Sequence, residues 1–75
     1  MEIRFSRHAR RRAELYKIPQ STVFALLERR HLDAGIHEIV EEVGGFRYPL
    51  KIVVAVEGDR ITVITNYPLK KGRTP

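Results

Sequence analysis

Apolar residues recur at helical spacing between residues 7 and 30 and at every second position in the C-terminal half. Before the first helical stretch, Ile3, Arg4 and Phe5 alternate and read as a short strand. Ser6 is the expected N-cap of a helix running to about Tyr16. On that helix Ala9, Ala13 and Tyr16 share one face, with His8 and Arg12 at its border. Arg7, Arg10, Arg11 and Glu14 fall on the opposite, solvated side. The Ile18-Pro19 step interrupts the helix, because proline disfavours helical backbone in the residue before it. A second helix is expected from Gln20 or Ser21 to about Arg30, with Val23, Phe24, Leu26 and Leu27 forming a wide apolar arc. Arg29 and Arg30 then occupy its last turn, where cations suit the helix dipole.

From Ile36 onward the period is two and predicts three antiparallel strands. Gly44-Gly45 and Gly58-Asp59 are each expected as two-residue hairpin loops. The first loop sets Glu42 opposite Arg47 and Glu38 opposite Lys51. The second sets Val56 opposite Ile61, Val54 opposite Val63, Ile52 opposite Thr65 and Leu50 opposite Tyr67, with Glu57 facing Arg60 and Lys51 facing Asn66. One sheet face then carries Phe46, Tyr48, Leu50, Ile52, Val54, Val56, Ile61, Val63 and Tyr67 and receives the helices, while Val53 and Ile64 lie on the other. Tyr16, Phe24, Phe46 and Tyr48 read as core. The expected fold is α+β, with two N-terminal helices packed on one face of a three- to four-stranded antiparallel sheet in the order β-α-α-β-β-β.

A length of 75 residues allows a single domain, and the 43% hydrophobic share is that of a chain with a core rather than a disordered one. The longest apolar run, Ile52 to Val56, has the length of a strand and not of a membrane span, so no membrane partner is expected. No signal peptide is visible, and the absence of cysteine excludes disulfides, thiol catalysis and Cys-based zinc sites. A reduced, cytoplasmic setting is the expectation. No two of His8, His31 and His37 have metal-ligand spacing, so neither a metal nor another cofactor is expected.

The net charge of +5 is unevenly distributed. Residues 1–31 hold eight Lys/Arg against three acids, residues 32–46 hold four acids and no base, and residues 47–75 hold six bases against two acids. Two basic ends around an acidic middle favour an anionic partner, with nucleic acid first.

Arg7, Arg10, Arg11 and Arg12 crowd the start of a helix, where the dipole is already positive and like charges repel at i, i+3 and i, i+4. Phosphate would relieve that repulsion. The same cluster suits RNA, DNA, an anionic membrane surface or an acidic protein, or a face that is simply solvated. His8 shares a helix edge with Arg12. There an imidazole serves as general base or acid on a ribose 2′-hydroxyl while the guanidinium stabilises the charged phosphorane. The alternative is a half-buried structural histidine hydrogen-bonded to backbone. Arg47 and Lys51 suit phosphate contact unless Glu42 and Glu38 neutralise them. Lys70, Lys71 and Arg73 form a basic segment over residues 68–75 that raises RNA affinity.

Phe5-Ser6-x-His8-Ala9-x-x-Arg12, Ile18-x-x-x-x-Val23, a β-hairpin and a terminal Thr65-x-Tyr67-Pro68 resemble a family of small prokaryotic proteins of unassigned function. These are similar to distant relatives of the RelE-type toxins in the barnase–EndoU–colicin–RelE group of ribonuclease folds. The pattern often has a second arginine four residues after the first, and here that position is Tyr16. The resemblance covers nearly the whole chain and implies one RelE-like domain over residues 1–75. It implies a toxin-like RNA-binding protein or metal-independent endoribonuclease, acting on RNA alone or on the ribosome, with an acidic antitoxin-like protein as partner. The reading set against it is a non-catalytic nucleic-acid or protein interaction module. A homodimer formed through Ile36, Val53 and Ile64 is a third expectation.

Overall fold

The structure, a computed structural model, describes residues 2–70, so Lys71 and Arg73 of the basic C-terminal segment lie outside the described residues. Its elements follow in the order β1 (Glu2–Phe5), α1 (Arg7–Leu15), α2 (Gln20–Glu28), β2 (Gly35–Glu41), β3 (Leu50–Glu57) and β4 (Arg60–Pro68). The four strands form one sheet in the order β1-β4-β3-β2. β2, β3 and β4 make the expected antiparallel meander, but β1 runs parallel to β4, so the sheet is mixed and not wholly antiparallel. With β3 paired on both sides, only an outer edge is open to β1. At β4 it sets Ile3 beside Ile61 and Phe5 beside Val63, which keeps its apolar side chains on the helix-covered face. Bonds from Glu2 N to Asp59 O (2.8 Å) and from Ser6 N to Val63 O (3.0 Å) extend the pairing at both ends. The Arg4 guanidinium, hydrogen-bonded to Glu2, holds that carboxyl below the usual carboxylate range, with Arg60 adding to the effect.

Helix α1 begins as the sequence indicates, with the Ser6 hydroxyl accepting from Ala9 N at 3.0 Å. It ends at Leu15, and just past its cap, Tyr16, a pair of bonds closes it: Ile18 N to Ala13 O (2.8 Å) and Lys17 N to Glu14 O (3.3 Å). This is the 6→1 and 5→2 pattern of a Schellman stop, and it forces the residue at its centre into left-handed backbone. That residue is Lys17, at φ 56°. A side chain with a Cβ is disfavoured there by about 1–2 kcal/mol. Lys17→Gly is therefore expected to stabilise the fold by about 1 kcal/mol and to raise Tm by about 4–8 °C. A Tm that stays put or falls on thermal unfolding would show that the backbone carries no such strain. Ile18, buried at the stop, and Ala9, Ala13, Val23, Leu26 and Leu27 face Leu50, Ile52, Val54, Val56, Ile61 and Val63 across the core. Phe24 of α2 meets the Phe5 ring edge-on, with centroids 5.7 Å apart. Helix α2 stops at Glu28, so Arg29 is its cap and Arg30 lies beyond it; both guanidiniums pair with Glu41 of β2.

Both expected turns form, but they have different consequences. At Gly58-Asp59 only the glycine has positive φ (59°), the pattern of a type II′ turn whose twist matches the strands. Glu57 accordingly faces Arg60, Val56 faces Ile61 and Val54 faces Val63, as the sequence indicates. At Gly44-Gly45 the turn closes through Phe46 N to Val43 O (3.2 Å), with positive φ at the second glycine (89°). That is the type II pattern, which splays its flanking strands. Pro49 has no N–H to give a ladder, and β3 starts only after it, at Leu50. The register is consequently shifted by two residues from expectation: Glu38 lies opposite Val53 and Val40 opposite Lys51. Glu42 and Arg47 fall in the loop and do not pair across a ladder. An even shift preserves the faces, so Lys51 still reaches Glu38, diagonally, at 3.2 Å.

The second departure is a β-bulge. Between Val53 and Val54 the β3–β4 register changes, leaving Ile64 as the extra residue of β4. Beyond it Thr65 faces Val53, Asn66 faces Ile52 and Tyr67 faces Lys51, one residue away from the expected pairing. Every later side chain changes face. Asn66 turns into the core and is fully buried, and Tyr67, expected under the helices, leaves the core and is half-buried opposite Lys51. No described helix covers the outer sheet face, where Ile36 is 65% and Val40 50% exposed; Val53 is half-buried and Ile64 stands exposed at the bulge.

Candidate functional site

Because β1 stops at Phe5, opposite Val63, the half of β4 after the bulge has β3 on one side and no strand on the other. Helix α1 lies along that open edge. Its flank carries His8, Arg12 and Tyr16, one turn apart from each other, and these three line a groove of about 380 Å³ together with Thr65 and Tyr67. The sequence brings His8 and Arg12 together; the structure adds Tyr16, Thr65 and Tyr67. Tyr16, expected in the core, caps α1 with 36% of its surface exposed and accepts a hydrogen bond from Arg12 Nη1 at 3.4 Å.

Two fastenings set the position of His8. One residue before α1, the Ser6 hydroxyl donates to Ile64 O at 2.9 Å, tying the helix start to the bulge. One residue after His8, Ala9 O accepts from Asn66 Nδ2 at 3.1 Å, tying the first turn to the inward-facing amide. The histidine between them is exposed, and among the described residues its ring makes no hydrogen bond. The half-buried, backbone-bonded histidine weighed from sequence is thus not what the fold contains. His37, by contrast, has its Nε2 2.7 Å from Asp33 O. Among the described residues no group of three His, Cys, Asp or Glu is placed to hold a metal ion.

The described cations expected to contact nucleic acid sort into two sets. Arg7, Arg10 and Arg11 are exposed away from the groove, Arg10 lining a separate hollow with Ile3, Arg4, Phe5, Gln20 and Phe24. Arg47, Lys51 and Lys70 lie beyond Tyr16. The Arg47 guanidinium stands over the Tyr48 ring, 5.9 Å from its centroid. Lys51 is held above the usual lysine value, first by its hydrogen bond to Glu38 and then by the Tyr67 phenol, so it stays cationic. Lys70 borders a second cavity, of about 610 Å³, with Tyr16, Tyr48, Tyr67, Pro68 and Leu69. Tyr48, expected in the core, is half-buried in the loop before β3. Compared with known proteins, the chain matches no family model, no curated protein and no solved structure. No helix among the described residues is long and apolar enough to cross a membrane.

Proposed function

We propose that this chain is a toxin-like RNA-binding protein of RelE type that cleaves RNA without a metal ion, in the groove between α1 and β4. The observation that carries this reading is the convergence of an exposed, unengaged His8 with Arg12, Thr65 and Tyr67 on one groove. His8 takes the proton of the ribose 2′-hydroxyl as the 2′-oxygen attacks phosphorus. Arg12 stabilises the charge that develops on the phosphoryl oxygens. The P–O5′ bond breaks, leaving a 2′,3′-cyclic phosphate and a 5′-oxygen that is protonated from solvent. Arg7, Arg10 and Arg11 hold backbone phosphates away from the cleaved bond, and an acidic antitoxin-like protein would compete for the same cations. Their distance from the groove also favours the second reading, a module that binds nucleic acid without cutting it.

The test is incubation with RNA in a chelator, with and without ribosomes. Fragments ending in 2′,3′-cyclic phosphate are expected, and a 2′-deoxy substitution at the cleaved position should block them. Affinity should fall steeply with salt. Replacing Arg7, Arg10 and Arg11 together with Gln should flatten the log–log salt slope by about 0.7 for each single-strand phosphate no longer neutralised. Absence of fragments under both conditions overturns cleavage and leaves the binding module; salt-insensitive binding overturns the role of the arginines.

A further inference from the structure

The three tyrosines of the chain are dispersed in sequence, at 16, 48 and 67, and no tryptophan accompanies them. In the fold they meet. Tyr16 comes from the end of α1, Tyr48 from the loop before β3 and Tyr67 from β4 after the bulge, and all three line the cavity that Pro68, Leu69 and Lys70 complete. None of the three is fully buried. Tyr16 and Tyr67 also line the groove of His8 and Arg12, so the two cavities adjoin along a shared wall. Each ring has a cation for a neighbour: Arg12 at the Tyr16 hydroxyl, Arg47 over the Tyr48 face, and Lys51 directly across the β3–β4 ladder from Tyr67. A core would bury such rings among aliphatic side chains. Here one ring is exposed, two are half-buried, and all three lie beside positive charges.

From this arrangement we infer that the tyrosine cavity binds an unpaired nucleobase of a single-stranded RNA whose neighbouring phosphate lies at His8 and Arg12. The inference rests on the RNA reading above and adds what that reading leaves open, namely the strandedness of the ligand and where its base sits. Aromatic faces set in a basic groove bind bases with little regard to sequence, since every base has a π-face. A duplex keeps its bases stacked on one another and offers the rings nothing but backbone. The volume of about 610 Å³ lies in the usual range of small-ligand sites, about 300–1,000 Å³. Charge favours the same occupant, because Lys70 lines the cavity, Arg12 and Arg47 contact the tyrosines Tyr16 and Tyr48, and Lys51 lies across the ladder from Tyr67; the only acid bonded to any of the four among the described residues is Glu38, at Lys51.

Since all three tyrosines line one cavity, the intrinsic emission of the protein reports on it without a label. Wild-type protein is titrated at low salt with oligoadenylate, with an abasic ribose-phosphate oligomer of equal length, and with an RNA duplex. Oligoadenylate is expected to quench tyrosine emission to saturation and to bind about tenfold or more tighter than the abasic strand, while the duplex leaves the emission unchanged. Tyr48→Leu should weaken oligoadenylate binding roughly 5- to 150-fold, the range for one stacked base. It should leave the abasic affinity and the salt slope as they were. If Tyr48→Leu does not fold, the wild-type comparison of base-bearing and abasic strands decides alone. Equal affinity for those two strands with unchanged emission overturns the base site and leaves charge-driven RNA binding standing. Absence of binding to any of the three polyanions overturns the RNA reading together with the base site.

Discussion

His8→Ala is expected to lower the rate of RNA cleavage by about 10²- to 10⁴-fold while leaving the Tm within a degree or so of wild type. Both halves of that expectation come from the same geometry. The imidazole borders the groove beside Arg12, so its loss removes the group proposed to take the 2′-hydroxyl proton. It is exposed and makes no hydrogen bond among the described residues, so its loss takes away almost no packing. The two fastenings beside it use the Ser6 side chain and the Ala9 backbone, which the substitution leaves in place. Growth inhibition on expression, if it reflects cleavage, should disappear in parallel. A variant that unfolds would make His8 structural. A folded variant that cleaves at the wild-type rate would move the chemistry elsewhere.

The largest loss of stability should come from a nearly isosteric change, Asn66→Asp. Asn66 is the one polar side chain in the described core, with no solvent exposure. Its amide donates to Ala9 O, and its Oδ1 has no partner. A carboxylate there loses the donor, faces a carbonyl and carries a charge with no counter-ion, at a cost of about 3–5 kcal/mol. A 75-residue domain has roughly 4–11 kcal/mol of total stability to lose. The pH dependence fixes the cause. Burial raises the folded pKa of this aspartate above the unfolded value of about 3.9. The variant is therefore least impaired near or below pH 4, where the protonated acid can still donate to Ala9 O, and it loses stability as pH rises through the folded pKa. Urea unfolding of variant and wild type across that range measures the difference between their curves. Parallel curves at all pH values would mean that position 66 is not buried between α1 and β4.

The readability of the fold from sequence varied with how local the governing interaction is. Ser6 as a cap, the break at Ile18-Pro19 and the Gly58-Asp59 turn are decided within a few residues, and each stands where the pattern places it. The first hairpin failed on the rotation of one glycine pair, type II where a two-residue hairpin loop was expected, although Pro49 within the expected strand already argued against a continuous ladder. The parallel edge pairing of β1 depends on contacts such as Glu2 with Arg60, which no local pattern contains. The bulge at Ile64 had the widest effect, because it exchanges Asn66 for Tyr67 at the core. An asparagine beside two expected inward positions was the one available signal: it can turn inward when a helix carbonyl lies within reach. At the site, the pairing of His8 with Arg12 follows from helical spacing. Tyr16 follows from the same spacing, one turn past Arg12, although it reads as core; the arrival of Tyr48 and Tyr67 does not, because one comes from the loop that replaces the expected start of β3 and the other is re-aimed by the bulge.

The groove has one wall from the first helix and one from the last described strand, and the bond from Asn66 to Ala9 spans 57 residues. During synthesis α1 emerges early with its histidine and arginines, but the strand that completes the groove is made after every other described element. Until β4 is available, β1 has no strand to pair with and α1 no bulge to be tied to. Contacts of such long separation form late and slowly compared with local ones. A nascent chain consequently lacks the groove, and the protein acquires it only once β4 has left the ribosome.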